Sequence, residues 1–201
     1  MIPIDKNWAL FLDRDGVINH RLKDDYVKNW GAFQFEVGSL EAIATFSKIF
    51  GFLFVVTNQQ GIGKGLMQEA DLQVLHRQML LEIEKAGGRI DRIYHCPHLR
   101  SAHCPCRKPR IGMALQAQSD FPALDFSRSV MVGDTPSDIE FGKAAGMYTV
   151  FIAPENSAPP PHNDWHFASL SSFSSYLLQT KFTIQKSLPL HHNHSEGDTR
   201  F

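Results

Sequence analysis

The 201-residue sequence predicts an α/β fold in which a mainly parallel sheet is flanked by helices. Short apolar runs, typical of buried parallel strands, alternate along the chain with segments of helical periodicity. Several of these runs stop at polar residues, and open α/β sheets bind their ligands beyond the carboxyl ends of their strands. At 201 residues the chain is long enough for one domain with a full core, and the alternation shows no internal repeat, so we expect a single domain.

Five apolar runs are predicted as strands, and the stretches between them are predicted as helices. The strands are residues 8–12, 52–56, 90–95, 129–132 and 148–152, and the helices are residues 38–50, 68–86, 112–120 and 137–145. Residues 20–34 lack a clean period and carry aromatic residues among charges, so we interpret this segment as a flap above the strand ends. A prolyl linker follows Ala153, and residues 166–178 are expected to form a last helix across the sheet.

The domain is expected to span residues 1–180. Residues 181–201 are polar and rich in histidine, with His191, His192 and His194 near the end. Such a composition favours a flexible tail, although a metal-binding role for these histidines is an alternative.

Charge and hydropathy exclude several classes of function. The formal net charge is −1 and the pI is about 6.8, so nothing favours nucleic acid or an anionic membrane as a partner. The longest apolar run, residues 49–56, is too short to span a bilayer and contains Gly51. The amino terminus has no secretory signal pattern. We therefore expect a cytoplasmic monomer that acts on a small molecule.

An acidic pair follows the first predicted strand, in the stretch Phe11-Leu12-Asp13-Arg14-Asp15-Gly16. Two carboxylates at this spacing can divide the work of phosphoryl transfer. One attacks phosphorus while the other handles the proton of the leaving group, and a divalent cation screens their repulsion. A solvated acidic turn is the alternative, because Asp and Gly are common turn residues.

Two further strand ends carry groups suited to phosphate and magnesium. Thr57 and Asn58 follow the second strand, and Asp134 follows the fourth, with Asp138 close behind it. Lys108 lies between them in the chain. Hydroxyl and ammonium groups bind phosphoryl oxygens, and carboxylates bind Mg²⁺.

The three cysteines lie within eleven residues of each other, in a segment that we call the cysteine loop (residues 96–106). Cys96, His98, Cys104 and Cys106 offer three thiolates and one imidazole, which fits a closed, structural zinc site. His95 and His103 are competing donors, but His95 belongs to a predicted strand and His103 directly precedes Cys104. Such a site would fix the loop that leads to Arg107 and Lys108.

These strand-end motifs, in this order, resemble the haloacid dehalogenase superfamily of phosphohydrolases. The resemblance implies a Rossmann-like fold with a minimal cap. It implies that Asp13 is the nucleophile and Asp15 the general acid and base. Thr57 and Lys108 would then bind the phosphoryl group, and Asp134 would complete a magnesium site with Asp13 and the backbone carbonyl of Asp15. Asp138 would support that site or simply begin a helix.

The cysteine loop narrows the resemblance to heptose bisphosphate 7-phosphatases and histidinol-phosphate phosphatases. The stretches that resemble the heptose group are Asp13–Asn19, Tyr26-Val27, Phe33-Gln34-Phe35, Thr57-Asn58-Gln59-Gln60-Gly61-Ile62-Gly63-Lys64-Gly65 and Arg107-Lys108-Pro109. The chain differs at Gly63 and Lys64, where that group carries alanine and arginine. The five-residue gap between His98 and Cys104 is closer to the histidinol type.

The resemblance implies a magnesium-dependent phosphatase that removes the 7-phosphate of D-glycero-D-manno-heptose 1,7-bisphosphate in nucleotide-heptose synthesis. The expected substrate contacts are Tyr26, Thr57, Asn58, Gln59, Gln60, Lys64, Arg107 and Lys108. A phosphatase for histidinol phosphate or another small phosphomonoester is the first alternative. A zinc-stabilised binding module without activity is the second.

Overall fold

The computed structural model describes residues 4–187, with side chains through residue 180. Within this range six strands form one parallel sheet in the order β3-β2-β1-β4-β5-β6. The strands are β1 (Ala9–Leu12), β2 (Phe52–Asn58), β3 (Arg92–Cys96), β4 (Ser129–Gly133), β5 (Tyr148–Ile152) and β6 (Trp165–Phe167). The helices are α1 (Ser39–Ile49), α2 (Gln60–Gly63), α3 (Glu69–Lys85), α4 (Gly112–Asp120), α5 (Pro136–Ala145) and α6 (Leu170–Ser187). The predicted fold class is confirmed.

Strand β1 is central and buried on both faces. Leu10 and Leu12 join the core cluster that includes residues of α1, α3 and α6, whereas Ala9 and Phe11 join the cluster formed with α4 and α5. Because side chains alternate along a strand, four consecutive apolar residues supply both cores. A strand packed in this way holds the residue that follows it in a fixed position.

The strand order reverses direction beside β1. The chain runs from β1 outward through β2 and β3, and then returns to place β4 on the other side of β1. Adjacent connections that leave in opposite directions open a crevice at the carboxyl ends of the strands. Asp13 and Asp134 follow the two strands that border this crevice.

The prediction of a helix over residues 166–178 is wrong at its start. Trp165–Phe167 forms the edge strand β6 in register with Val150–Ile152, and the Trp165 ring lies 5.6 Å from the Tyr148 ring. Pairing with β5 satisfies the backbone there, and α6 begins only at Leu170. The same helix continues to Ser187, past the expected domain boundary at residue 180, and residues 188–201 lie outside the described range.

Two connecting segments complete the frame of the site. The glycine-rich stretch after Asn58 contains the short helix α2, which the sequence did not predict. The flap is irregular apart from the 3₁₀ turn Trp30–Ala32, and it is pinned at its base where the His20 amide donates to the Gln34 carbonyl at 2.8 Å. None of the helices in the described residues is long and apolar enough to cross a membrane.

Candidate active site

Asp13 lies at the centre of the crevice. Its amide donates to the Val132 carbonyl at 2.9 Å, which extends the β1–β4 pairing by one residue. Its carboxylate is buried, and Lys108 Nζ lies 2.8 Å from Oδ1. Burial raises the pKa of Asp13 to about 6, against the opposing effect of the Lys108 charge. A buried carboxylate fixed by one ammonium is well placed to act as a nucleophile.

Lys108 is enclosed by acceptors. Its Nζ also donates to the Val56 carbonyl at 2.7 Å and lies 2.6 Å from Asp138 Oδ1. Burial alone would lower the pKa of Lys108, but the charges of Asp13 and Asp138 outweigh burial and raise it. The second oxygen of Asp138 accepts from the Thr135 amide at 3.0 Å and so caps α5. Asp138 thus both begins the helix and holds the lysine.

Asn58 positions the backbone of Lys108. The Lys108 amide donates to Asn58 Oδ1 at 3.1 Å, and Asn58 Nδ2 donates to the Lys108 carbonyl at 3.3 Å. The Asn58 side chain, which the sequence predicts as a substrate contact, therefore joins β2 to the segment that follows the cysteine loop. Asn58 also borders the main cavity described below.

Asp15 is held by three side chains. Arg14 Nη2 donates to both carboxylate oxygens at 2.9 Å, Asn19 Nδ2 donates to Oδ1 at 3.0 Å, and Gln59 Nε2 donates to Oδ2 at 2.9 Å. Burial would raise the pKa of Asp15, but the Arg14 charge and these hydrogen bonds lower it. Asp15 is consequently an oriented carboxylate at the cavity wall.

Gln59 lies behind the site and not in it. Its side chain is buried, and its Nε2 bridges Asp15 and the Thr57 hydroxyl oxygen, the latter at 2.8 Å. It does not border the cavity into which Asp13 and Thr57 open. Because Thr57 Oγ1 accepts from Gln59, its own hydrogen is available for another acceptor, such as a phosphoryl oxygen.

Three carboxylates form a candidate magnesium site. One oxygen from each of Asp13, Asp134 and Asp138 lies within 4.8 Å of the others. Burial raises the pKa of Asp134 to about 7, and the Asp13 charge adds to the effect. A side chain at residue 16 would overlap the Asp134 carboxylate, so Gly16, with φ of +89°, permits the close approach of the two segments. Because Lys108 and the Thr135 amide engage both oxygens of Asp138, Asp13 and Asp134 are the carboxylates left to offer the oxygen donors that Mg²⁺ prefers.

The cysteine loop brings its four expected ligands together. Sγ of Cys96, Cys104 and Cys106 and one ring nitrogen of His98 all lie within 4.8 Å of one another. His98 Nδ1 is 3.7 Å from Cys96 Sγ and 3.5 Å from Cys106 Sγ, close to the roughly 3.6 Å edge of a zinc tetrahedron, whereas Cys104 Sγ and Cys106 Sγ lie closer together, at 2.8 Å. Three thiols and an imidazole therefore fit Zn²⁺.

The competing histidines are turned elsewhere. His95 Nε2 lies 2.8 Å from Glu69 Oε1, and exposed His103 follows the 3₁₀ turn Arg100–Ala102 in a left-handed conformation. The loop is joined to α2, where the Gly63 amide donates to the Pro97 carbonyl at 2.9 Å. A Cβ at residue 63 would lie 2.7 Å from that carbonyl oxygen, so glycine permits this contact.

A cavity of about 670 Å³ opens above Asp13 and Asp15. The flap forms one wall, and the opposite walls come from β2, α2 and the start of α5. The residues that the sequence predicts as substrate contacts and that line this cavity are Tyr26, Thr57, Asn58, Gln60, Lys64, Arg107 and Lys108. Gln60 Nε2 donates to the Tyr26 hydroxyl at 3.2 Å, and Lys64 Nζ lies 5.1 Å from the centre of the Tyr26 ring. These contacts join α2 to the flap.

A second cavity, of about 360 Å³, adjoins the first through Arg107 and Lys108. Arg100, His103 and Arg110 add further basic groups to its wall. The sequence analysis missed Arg100, which lies inside the cysteine loop, and Arg110, which follows it; this position is their only signal in the sequence. We call this second cavity the basic annex. It is lined by Lys108, the partner of Asp13, and its basic groups suit it to anions.

The structure adds four other residues that the sequence analysis gave no role. Arg14 and Asn19 hold Asp15, and their only signal was a place inside the acidic motif. His76 on α3 lies 3.2 Å from Arg14 Nη1, a contact that no local pattern indicates. Arg21, from the flap, reaches the acidic centre and contacts Asp13 and Asp134.

Comparison with known proteins decides the family. Residues 105–170 match a HAD-hydrolase-like family model. The chain is 44% identical over 133 residues to the D-glycero-α-D-manno-heptose-1,7-bisphosphate 7-phosphatase of Mycobacterium tuberculosis, covering 66% of the chain and 70% of that relative. The chain belongs to the heptose bisphosphate phosphatase family. A second member, from Campylobacter jejuni, is 43% identical over 150 residues, covering 75% of the chain and 84% of the relative.

Solved structures agree with this family assignment. The D,D-heptose 1,7-bisphosphate phosphatase of B. bronchiseptica, complexed with magnesium and phosphate, superposes with a TM-score of 0.79 at 29% identity. The match covers 86% of this chain and 99% of that one. A HAD-like phosphatase from Mesorhizobium loti gives a TM-score of 0.72 at 30% identity, covering 90% and 88% of the two chains. The chain is also 41% identical over 152 residues to the D-glycero-β-D-manno-heptose-1,7-bisphosphate 7-phosphatase of Vibrio cholerae, covering 72% of the chain and 80% of that relative.

Proposed function

We propose that this chain hydrolyses the 7-phosphate of D-glycero-D-manno-heptose 1,7-bisphosphate. The observation that carries the proposal is the placement of Asp13, buried at the end of β1 with Lys108 at 2.8 Å and open to a cavity large enough for a sugar phosphate. Relatives at 43–44% identity with this activity support the substrate.

The proposed reaction has two steps. Asp13 Oδ attacks phosphorus, the bond from phosphorus to the sugar oxygen breaks, and that oxygen takes a proton from Asp15. Water then attacks the aspartyl-phosphate while Asp15 accepts its proton, which releases phosphate and restores Asp13. A phosphoryl dianion beside Asp15 raises the pKa of that carboxyl, which prepares it to act first as an acid. Thr57 donates to a phosphoryl oxygen, while the Lys108 charge beside Asp13 offsets the negative charge that develops.

We assign the two metal sites to different roles. Asp13, Asp134 and the Asp15 carbonyl would hold Mg²⁺, which supplies positive charge next to the transferred phosphoryl group. Cys96, His98, Cys104 and Cys106 would hold Zn²⁺ with no open position, so this ion is structural. Since Arg107 and Lys108 directly follow the last ligand, the zinc site fixes the position of both cations.

The basic annex accounts for the second phosphate. A bisphosphate carries an anionic group far from the one that is cleaved, and Arg107 lies where the two cavities join. Lys64 offers an alternative cation on the opposite wall. We therefore place the 1-phosphate in the annex, with Lys64 near the sugar.

The test is a substrate panel. Phosphate release is measured for the α and β anomers of heptose 1,7-bisphosphate, for histidinol phosphate and for p-nitrophenyl phosphate. We expect the highest kcat/KM for one heptose bisphosphate anomer, with the 1-phosphate retained in the product. A higher kcat/KM for histidinol phosphate would replace the proposal with the first alternative.

A further inference from the structure

Among the described residues, Arg21 is the one cation of the flap that contacts Asp13 and Asp134. Its Nη2 donates to the Asp15 carbonyl oxygen at 2.7 Å and to Asp134 Oδ1 at 2.7 Å, and it lies 3.4 Å from Asp13 Oδ2. These are the three groups that the proposed function assigns to Mg²⁺. A single nitrogen thus lies where the expected metal ligands converge.

The guanidinium and the metal ion cannot share this position. Mg²⁺ binds oxygen at about 2.0–2.1 Å. An ion bound to the same oxygens would overlap a nitrogen that lies 2.7 Å from two of them. The two cations would also repel each other, because an arginine side chain keeps its charge. Binding of one therefore requires departure of the other.

We propose that Arg21 is an internal competitor of Mg²⁺, which binds the metal ligands until the ion displaces it. The inference rests on the magnesium site of the proposed function. The exposed fraction of the Arg21 side chain is 46%, so the displaced guanidinium returns to water without crossing packed protein. Once the guanidinium has left, the charge of the ion would neutralise the carboxylates of Asp13 and Asp134.

Displacement also changes the flap. Residues 21–27 line the main cavity, and the Arg21 contacts join this wall to the ends of β1 and β4. Mg²⁺ breaks that connection. Loss of the Arg21 contacts would therefore loosen the flap wall at Arg21, while the Tyr26 contacts with Gln60 and Lys64 still join the flap to α2.

The experiment compares Mg²⁺ binding by calorimetric titration in phosphate-free buffer, using zinc-containing protein. Arg21→Met keeps the aliphatic stem and removes the competing charge. We expect its Kd for Mg²⁺ to be about tenfold lower than that of the wild type, the value of a hydrogen bond to a charged group reduced for exposure. Lys23→Met is the matched control, since Lys23 is a cation on the same wall of the cavity. Its Kd should change less than about twofold.

Thermal unfolding supplies a second readout that a purely structural arginine would not give. Without Mg²⁺, Arg21→Met removes the arginine partner of Asp134 and leaves Asp13 with Lys108 alone, so it should lower Tm. With saturating Mg²⁺ the deficit should disappear. An equal Tm deficit in both conditions, or an unchanged or higher Kd in Arg21→Met, would overturn the inference.

The outcomes separate this inference from the proposed function. Wild-type protein that binds Mg²⁺ and hydrolyses heptose bisphosphate, with no tighter binding in Arg21→Met, defeats only the competitor role. Tighter binding in Arg21→Met, together with no hydrolysis of heptose bisphosphate, defeats only the substrate. Wild-type protein that hydrolyses heptose bisphosphate without binding Mg²⁺ defeats the competitor role and the magnesium site together.

Discussion

Arg14 donates from one guanidinium nitrogen to both carboxylate oxygens of Asp15, its neighbour in the chain, at 2.9 Å each. The Arg14 side chain is fully buried, and its other terminal nitrogen lies 3.2 Å from His76 on α3. Arg14, the middle residue of the acidic motif, thus lies outside the lining of the main cavity and fixes the carboxylate of Asp15, which follows it. An arginine in a catalytic motif acts here on the carboxylate and not on the phosphate.

Asn substitutions at the two carboxylates should separate their roles. Asp13→Asn keeps the shape and removes the nucleophile, so we expect turnover to be abolished. Asp15→Asn should slow turnover on the order of 100- to 10,000-fold, because acid–base help is lost. Phosphate release and trapping of the phosphorylated protein measure these effects. Wild-type turnover in Asp13→Asn, with deamidation excluded by mass spectrometry, would remove Asp13 from its role.

The sequence predicts those features that depend on local pattern. Apolar runs such as Ala9–Leu12 gave the parallel strands, because burial on both faces demands uninterrupted hydrophobic residues. The positions at or just after the carboxyl ends of these strands gave Asp13, Thr57 and Asp134, since these ends meet at one edge of a parallel sheet. Cysteine spacing gave the candidate zinc ligands that the structure brings together.

The sequence does not predict contacts made across the fold. His76 reaches Arg14 from a helix 62 residues away, and Arg21 reaches Asp134 across 113 residues. For Gln59 the sequence predicts a contact that the structure does not show. Its place near Thr57 suggests a substrate contact, but its side chain lies behind the site and bonds to Asp15 and Thr57. Strand β6 was missed because three residues carry too little periodicity.

Zinc should copurify with the protein at about one ion per chain and survive mild chelation, whereas Mg²⁺ should exchange. Cys106→Ser removes one thiolate and should reduce bound zinc to well below half an ion per chain, with a lower Tm. His103→Ala is the control, since His103 lies outside the four-ligand cluster. Elemental analysis gives the metal content. Fully active, folded protein without zinc would defeat the four-ligand site.

His76 should make stability depend on pH. Burial and the nearby Arg14 charge lower the pKa of His76 to about 3. The unfolded chain therefore binds a proton below pH 6.5 that the folded protein does not, and stability falls as the pH drops from 6.5 towards 3. Between pH 7 and 5.5 the wild type should lose about 1 kcal/mol more than His76→Gln.

Denaturant unfolding at several pH values measures this difference. Gln keeps an acceptor for Arg14 and removes the titration, so the variant should unfold with a flatter pH profile. His20→Gln, the same change at an exposed histidine, is the matched control. Parallel profiles for wild type and His76→Gln would show that His76 does not titrate in this range.

The basic annex should decide selectivity for a bisphosphate. Arg107 lies between the two cavities, and Arg100 adds charge at the far wall of the annex, whereas Lys64 lies on the main cavity with its ammonium over the Tyr26 ring. A second phosphate in the annex would contact the arginines first. Arg107→Ala should therefore weaken the preference for heptose bisphosphate over p-nitrophenyl phosphate by roughly 1.5–3 kcal/mol, the value of a hydrogen bond to a charged group.

The readout is the ratio of kcat/KM for the two substrates, because a general defect in phosphoryl transfer lowers both values and leaves the ratio unchanged. Arg100→Ala should lower the ratio less than Arg107→Ala, since Arg100 is exposed and its charge is screened. Lys64→Ala should have the smallest effect if the 1-phosphate occupies the annex. Arg128→Ala, a change at a surface arginine paired with Asp125, is the control for lost charge. A larger effect at Lys64 than at Arg107 would move the second phosphate to the wall formed by α2 and the flap.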